Sequence, residues 1–143
     1  MNGLHLIGDL TGCRCDPRLL LDGAEFKGKC LEFVRDAGLT TMDASFHQFD
    51  GSGFTGTVVL AESHLAIHTW PEKQGLTLDV YVCNYSDDNS HKARKLFETI
   101  IAYFQPAECA LHATEQFLVI AKNAGRYTAC ARENYPVAAG GDR

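Results

Sequence analysis

The sequence predicts an α+β two-layer sandwich, an antiparallel sheet with two helices packed on one face. Three observations predict it. Two segments, after Asp22 and after Ser86, carry apolar residues at helical spacing. Between them, residues 41–83 hold a series of alternating, β-branched-rich segments. The turns that join those segments are too short for parallel crossovers, so the strands run as hairpins. With 143 residues the chain suits one compact domain. That domain is expected over 1–131, with a loose tail over 132–143.

Residues 4–10 read as a first strand and 11–21 as a connection carrying Gly12 and Pro17. Asp22 with Glu25 has the spacing of a capping box. Phe26, Cys30, Val34 and Ala37 then recur on one helical face, and Gly38 sits where a helix C-terminal glycine belongs. Residues 41–49 alternate, with Met42, Ala44 and Phe46 opposed to Asp43, Ser45, His47 and Phe49. Asp50-Gly51-Ser52-Gly53 is a turn, and 54–62, rich in Thr and Val, is the next strand. Residues 64–70 and 76–83 form two more, joined around Lys73-Gln74-Gly75. Ser86 to Ser90 open a second helix whose stripe is Ala93, Leu96, Phe97, Ile100, Ile101 and Phe104, and Pro106 stops it. Residues 108–121 hold one further strand or two short ones.

Bulk composition narrows the function. The net charge of −5 and the absence of a basic stripe argue against a nucleic-acid partner. No apolar run approaches the ~20 residues that cross a bilayer. The N-terminus lacks the basic start and long apolar run of a secretory signal, so a cytoplasmic location is expected. The six cysteines form no Cys-x-x-Cys pair, and Cys13-x-Cys15 is too tight for zinc spacing. They read as free thiols, mostly buried, and no metal is expected.

Strand parity locates the chemistry. Leu76, Leu78, Val80 and Val82 share one face of their strand, which leaves Thr77, Asp79, Tyr81 and Cys83 on the other. Leu65 and Ile67 likewise oppose His64, His68 and Trp70. If the apolar sets face the helices, both imidazoles, both large aromatics and the thiol share the open face. A tight turn pairing Glu72 with Gly75 brings Cys83 beside His64. Ser63, of opposite parity to His68, is expected in a bend or bulge, or else the register differs. Large aromatics beside imidazoles and a thiol read as a pocket or subunit interface.

Residues 61–72, Ala-Glu-Ser-His-Leu-Ala-Ile-His-Thr-Trp-Pro-Glu, followed by Asp79-Val-Tyr-Val-Cys83, supply a hydroxyl, imidazoles and a thiol. These groups can break a backbone bond and then move protons at the new end. With His5-Leu6-Ile7 and Phe46-His47-Gln48-Phe49, the run resembles the small, pyruvoyl-dependent S-adenosylmethionine decarboxylases of bacteria and archaea, which serve spermidine synthesis.

The resemblance implies that Ser63 attacks the carbonyl of Glu62 and that the chain divides into 1–62 and 63–143. Ser63 then becomes a pyruvoyl group that forms a Schiff base with substrate, with no metal and no pyridoxal phosphate required. It implies that His68 moves protons during processing and that Thr55, where the family usually has serine, supports it. Cys83 is the implied proton donor. Phe49 is implied to stack on adenine, Glu72 to bind the ribose hydroxyls, and Leu65 to belong to the substrate-binding set. The implied assembly is a homodimer with the pyruvoyl at its interface. Lys73-Gln74 replaces an aromatic and a glycine, and Asn84-Tyr85 replaces the usual glycine after the cysteine. These departures lie beside the implied substrate site and keep open an ornithine or arginine decarboxylase on the same scaffold; a non-catalytic partner subunit that keeps the fold without cleaving is a separate alternative.

Overall fold

The computed structural model describes residues 2–119 and 128–132, with side chains through 115. The elements follow in chain order: β1 (Asn2–Thr11), α1 (Gly23–Asp36), β2 (Thr41–Gln48), β3 (Phe54–Leu60), β4 (Ser63–Trp70), β5 (Gly75–Cys83), α2 (Ser90–Phe104), β6 (Glu108–Val119) and β7 (Thr128–Arg132). The strands form one seven-stranded sheet in the order β2-β3-β4-β5-β1-β6-β7. Every pairing is antiparallel. Both helices lie on one face, as the patterning predicts. Of the expected loose tail, 132 ends β7 and 133–143 lie outside the described residues.

The core sits between the helices and the sheet. Phe26 of α1 is fully buried against Phe54 and Phe104, with ring centroids 5.6 and 5.3 Å away. Leu65, Ile67, Leu78, Val80 and Val82 rise from the central strands to meet Leu96 and Ile100 of α2. Asp22 caps α1 by accepting the Glu25 N–H at 2.9 Å, the half of the capping box that the spacing announces. Gly38 ends the helix at φ 82°, a left-handed conformation that costs a residue with a Cβ about 1 kcal/mol or more.

Four local expectations need correction. The β4–β5 register sets Trp70, not Glu72, opposite Gly75. Pro71–Lys73 make a short 3-10 turn, and Gln74 follows in the left-handed region at φ 48°. Pro71 has no N–H to give a ladder and its fixed φ suits the start of such a turn. In β2 a bulge between Thr41 and Asp43 turns Met42 outward, to 66% exposure, so it leaves the apolar face. The third strand ends at Leu60, and Ala61-Glu62 make the turn. The second helix starts at Ser90 rather than Ser86, and Asp88 accepts the Ser90 N–H at 3.0 Å.

Candidate active site

The open face carries the predicted constellation. Its imidazoles His64 and His68, with Trp70, point away from the helices, as do Asp79, Tyr81 and Cys83. Ile7, Val59 and Trp70 stand about half exposed beside them.

The turn joining β3 to β4 is strained at the position that matters. Glu62 has φ 65°, left-handed for a residue with a side chain. Its carboxylate Oε2 accepts from Ser86 Oγ at 3.0 Å, and its backbone carbonyl accepts the Cys83 N–H at 3.1 Å. That donor is aimed at the carbonyl a Ser63 hydroxyl would attack. Ser63 opens β4 in regular pairing with Leu60 and Val82. The expected bulge is absent; the irregularity falls one residue earlier, at Glu62. The Ser63 Oγ is buried and has no hydrogen-bond partner among the described residues. Such an orphan costs about 1–3 kcal/mol, which functional groups tolerate and structural serines seldom do. A buried, unpaired hydroxyl next to a strained peptide suits conversion of residue 63 to a pyruvoyl group.

Thr55 and His68 meet across β3 and β4, with Thr55 Oγ1 2.5 Å from His68 Nδ1. His68 lies five residues beyond Ser63 on the same strand, about 16 Å along it at ~3.3 Å per residue, and on the other face. One protomer does not bring the two together. The register shift also separates Cys83 from His64. His64 pairs with Tyr81 instead, and Cys83 lies beside Glu62. The thiol is buried at 7% exposure. Asn89 Nδ2 holds the Cys83 carbonyl at 3.0 Å, and Asn84 Oδ1 accepts the Asn89 N–H at 2.8 Å. Asn84 thus uses its side chain to tie down the segment after the thiol, where the family resemblance expects glycine.

Phe49 stands half exposed past the end of β2 and packs edge-on against His47 at 4.8 Å. Gln48 Nε2 donates to the Phe49, Ser52 and Gly53 carbonyls and so fixes the turn that presents it. Glu72 is exposed on the 3-10 turn beyond Trp70. Leu65 is fully buried on the helix side. Its side chain is therefore core.

Sequence reading missed a second cluster. His5 Nε2 lies 2.7 Å and His64 Nε2 3.3 Å from the same Asp79 oxygen. These three donors lie within 4.8 Å of one another, close enough to hold a divalent cation. They also close on themselves through the shared carboxylate oxygen, which satisfies them without an ion. The Tyr81 ring packs against both imidazoles, at 5.6 Å from His5 and 5.5 Å from His64. Its hydroxyl is pushed above the usual tyrosine range by burial first, and then by the Cys83 thiol. The residues come from β1, β4 and β5, and no spacing in the chain signals such a meeting.

The sequence matches the family described as S-adenosylmethionine decarboxylase over residues 4–116. The chain belongs to that family. It is similar to the S-adenosylmethionine decarboxylase proenzyme of Persephonella marina, at 39% identity over 73% of this chain and 74% of the relative. The proenzyme of the same name from Clostridium botulinum is 36% identical over 75% of this chain and 89% of its own. A crystal structure of the adenosylmethionine decarboxylase from Aquifex aeolicus superposes with a TM-score of 0.69 at 34% identity, covering 87% of this chain and 97% of that one. Membership of the S-adenosylmethionine decarboxylase family also fits the layer order, with two helices on one side of an antiparallel sheet and the polar residues on the other. Among the described residues, no helix is long and apolar enough to cross a membrane.

Proposed function

We propose that this chain is a self-cleaving proenzyme that decarboxylates S-adenosylmethionine, giving the aminopropyl donor used in spermidine synthesis. The observation that carries the reading is the start of β4, where the buried, unpaired Ser63 Oγ adjoins the left-handed Glu62. The shared name of the reported relatives supports this substrate over ornithine or arginine.

Cleavage begins when Ser63 Oγ attacks the Glu62 carbonyl carbon. A C–O bond forms, the Glu62–Ser63 C–N bond breaks, and the hydroxyl proton passes to the freed amine. The Cys83 N–H already donates to that carbonyl, and a fixed donor on a developing oxyanion is worth about 3 kcal/mol. Loss of the Ser63 Cα proton expels the Glu62 carboxylate and leaves a dehydroalanine. Addition of water then releases ammonia and leaves a pyruvoyl group capping 63–143. Fragment 1–62 then ends in the freed Glu62 carboxylate and stays in the sheet through β1, β2 and β3, and Glu62 no longer needs its strained φ.

His68, braced by Thr55, is the proton carrier for these steps. Because it cannot reach Ser63 of its own chain, a second copy must supply it. Sheet faces opposed in a homodimer would do so, and Ile7, Val59 and Trp70 give such an interface apolar area. The pyruvoyl carbonyl supplies an electron sink for the pair left when carbon dioxide departs. Cys83 then returns a proton to the reacting carbon and regains its own from solvent. Phe49 offers a face for adenine, and Glu72 a carboxylate for the ribose hydroxyls.

Mass analysis of purified wild-type protein tests the reading. The expected result is fragments 1–62 and 63–143, the second without a free amine, and carbon dioxide released from carboxyl-labelled S-adenosylmethionine. An intact 15.7 kDa chain after prolonged incubation would sink it in favour of a non-catalytic subunit.

A further inference from the structure

The Tyr81 side chain lies along the open face over the end of β1. Gly3 pairs with Cys83, and His5 pairs with Tyr81. A Cβ on Gly3 would stand 2.9 Å from the Tyr81 hydroxyl. The bare glycine therefore leaves the space that the phenol occupies, beside the position from which Cys83 projects two residues along the same strand. The ring is gripped on both sides, edge-on by His5 and at 31° by His64. Those imidazoles are in turn fixed to one Asp79 oxygen at 2.7 and 3.3 Å. A phenol so restrained has little freedom left, and its hydroxyl lies over Gly3, the residue paired directly with Cys83 on the same face.

We propose that Tyr81 is a positioning residue for Cys83, holding the thiol through its hydroxyl, with the His5–Asp79–His64 cluster and the gap at Gly3 holding Tyr81. The proposal rests on the reading of Cys83 as proton donor. A sulfur atom is a weak hydrogen-bond partner, and an unrestrained thiol rotates among its staggered rotamers. A phenol fixed from three sides selects one of them. Phenylalanine at this position would keep the ring contacts and lose only this selection.

The test is Tyr81→Phe, measured in two ways. In protein left to process, fragments 1–62 and 63–143 are expected as in the parent. The kcat for S-adenosylmethionine is expected to fall about three- to tenfold with KM unchanged, the scale of one hydrogen bond. In protein blocked by Ser63→Ala, the rate of Cys83 alkylation against pH, followed peptide by peptide, is expected to shift. His5→Gln, which frees one side of the ring, is expected to move the same profile in the same direction by less. An alkylation profile identical to the parent's overturns the proposal, whatever the turnover does, and so does an unchanged kcat. Failure of the wild-type protein to decarboxylate S-adenosylmethionine would instead overturn the role of Cys83, and the blocked protein would still report whether Tyr81 holds the thiol.

Discussion

The same strands build two unlike faces. Toward α1 and α2, Leu65, Ile67, Val80 and Val82 are wholly buried in a continuous apolar layer. Toward the open side, the alternate residues of those strands are His64, His68, Asp79 and Tyr81, tied by side-chain hydrogen bonds and ring contacts. Period-two alternation places the two sets 180° apart, so each face can change without altering the other's side chains. The helix face supplies cohesion. The open face carries the imidazoles, the carboxylate and the phenol, and in the proposed homodimer a second copy covers it. Glu62 and Ser63 stand at the boundary, with a hydroxyl on the core side and the Glu62 carbonyl, the point of attack in the proposed cleavage, held by the Cys83 N–H.

Substitutions at the two faces should therefore separate stability from chemistry. The largest effect on chemistry is expected for Ser63→Ala, which removes the nucleophile. Cleavage should stop altogether, while the fold is not weakened and gains up to about 1–3 kcal/mol in urea unfolding, because a buried hydroxyl without a partner is removed. Phe26→Ala belongs to the other face. It removes a wholly buried ring that touches Phe46, Phe54, Tyr103 and Phe104. The expected cost is about 3–5 kcal/mol, read by urea unfolding in the Ser63→Ala background so that cleavage does not complicate it. If Ser63→Ala unfolds as readily as Phe26→Ala, the two faces are not separable.

Exposed residues of the open face give the next test. His68→Ala is expected to slow cleavage about 10²–10⁴-fold, the usual worth of positioned proton transfer, with stability unchanged within ~0.5 kcal/mol. Thr55→Ala should slow it less, since His68 remains and loses only its brace. Mixing His68→Ala with Ser63→Ala protein sharpens the point. Each alone is impaired, and a mixed dimer pairs an intact Ser63 with an intact His68 from the other copy. Restored cleavage of the His68→Ala chain, followed by mass, is the expected outcome. No restoration would mean that His68 serves its own chain after all.

The helix face was the more legible of the two. Parity in Leu76, Leu78, Val80 and Val82 reads directly as burial, because a sheet with helices on one side demands it. The Asp22 cap and the glycine after α1 are equally local signals. Register was not legible, because Pro71 diverts the chain into a 3-10 turn whose length the alternation does not encode. That shift moved Cys83 from His64 to Glu62, where its N–H meets the carbonyl. Met42 left its expected face through a bulge on the outermost strand, where a neighbour pairs on one side only. The His5–Asp79–His64 cluster was invisible for a third reason. Its members lie up to 74 positions apart, and only the placing of β1 next to β5 joins them.

The smallest expected effect lies at the rim of the helix layer and shows how little surface charge adds to that face. Asp88 accepts the Ser90 N–H at the start of α2. That backbone hydrogen bond is the main reason its carboxyl is held below the ordinary 3.8. A carboxyl whose folded value is lowered stabilises the fold above its unfolded value, and loses that contribution as pH falls through the folded one. Asp88→Ala should therefore lower the unfolding midpoint slightly near neutral pH. The gap between variant and parent should close as pH drops through the lowered folded value, where the parent's carboxylate becomes protonated. The group is fully exposed, so salt should narrow the gap as well. Thermal unfolding of both proteins in the Ser63→Ala background, stepped through acid pH, reads the result. A gap that persists in acid would mean that Asp88 acts through its shape at the turn and not through its charge, and that α2 begins at Ser90 for reasons of packing alone.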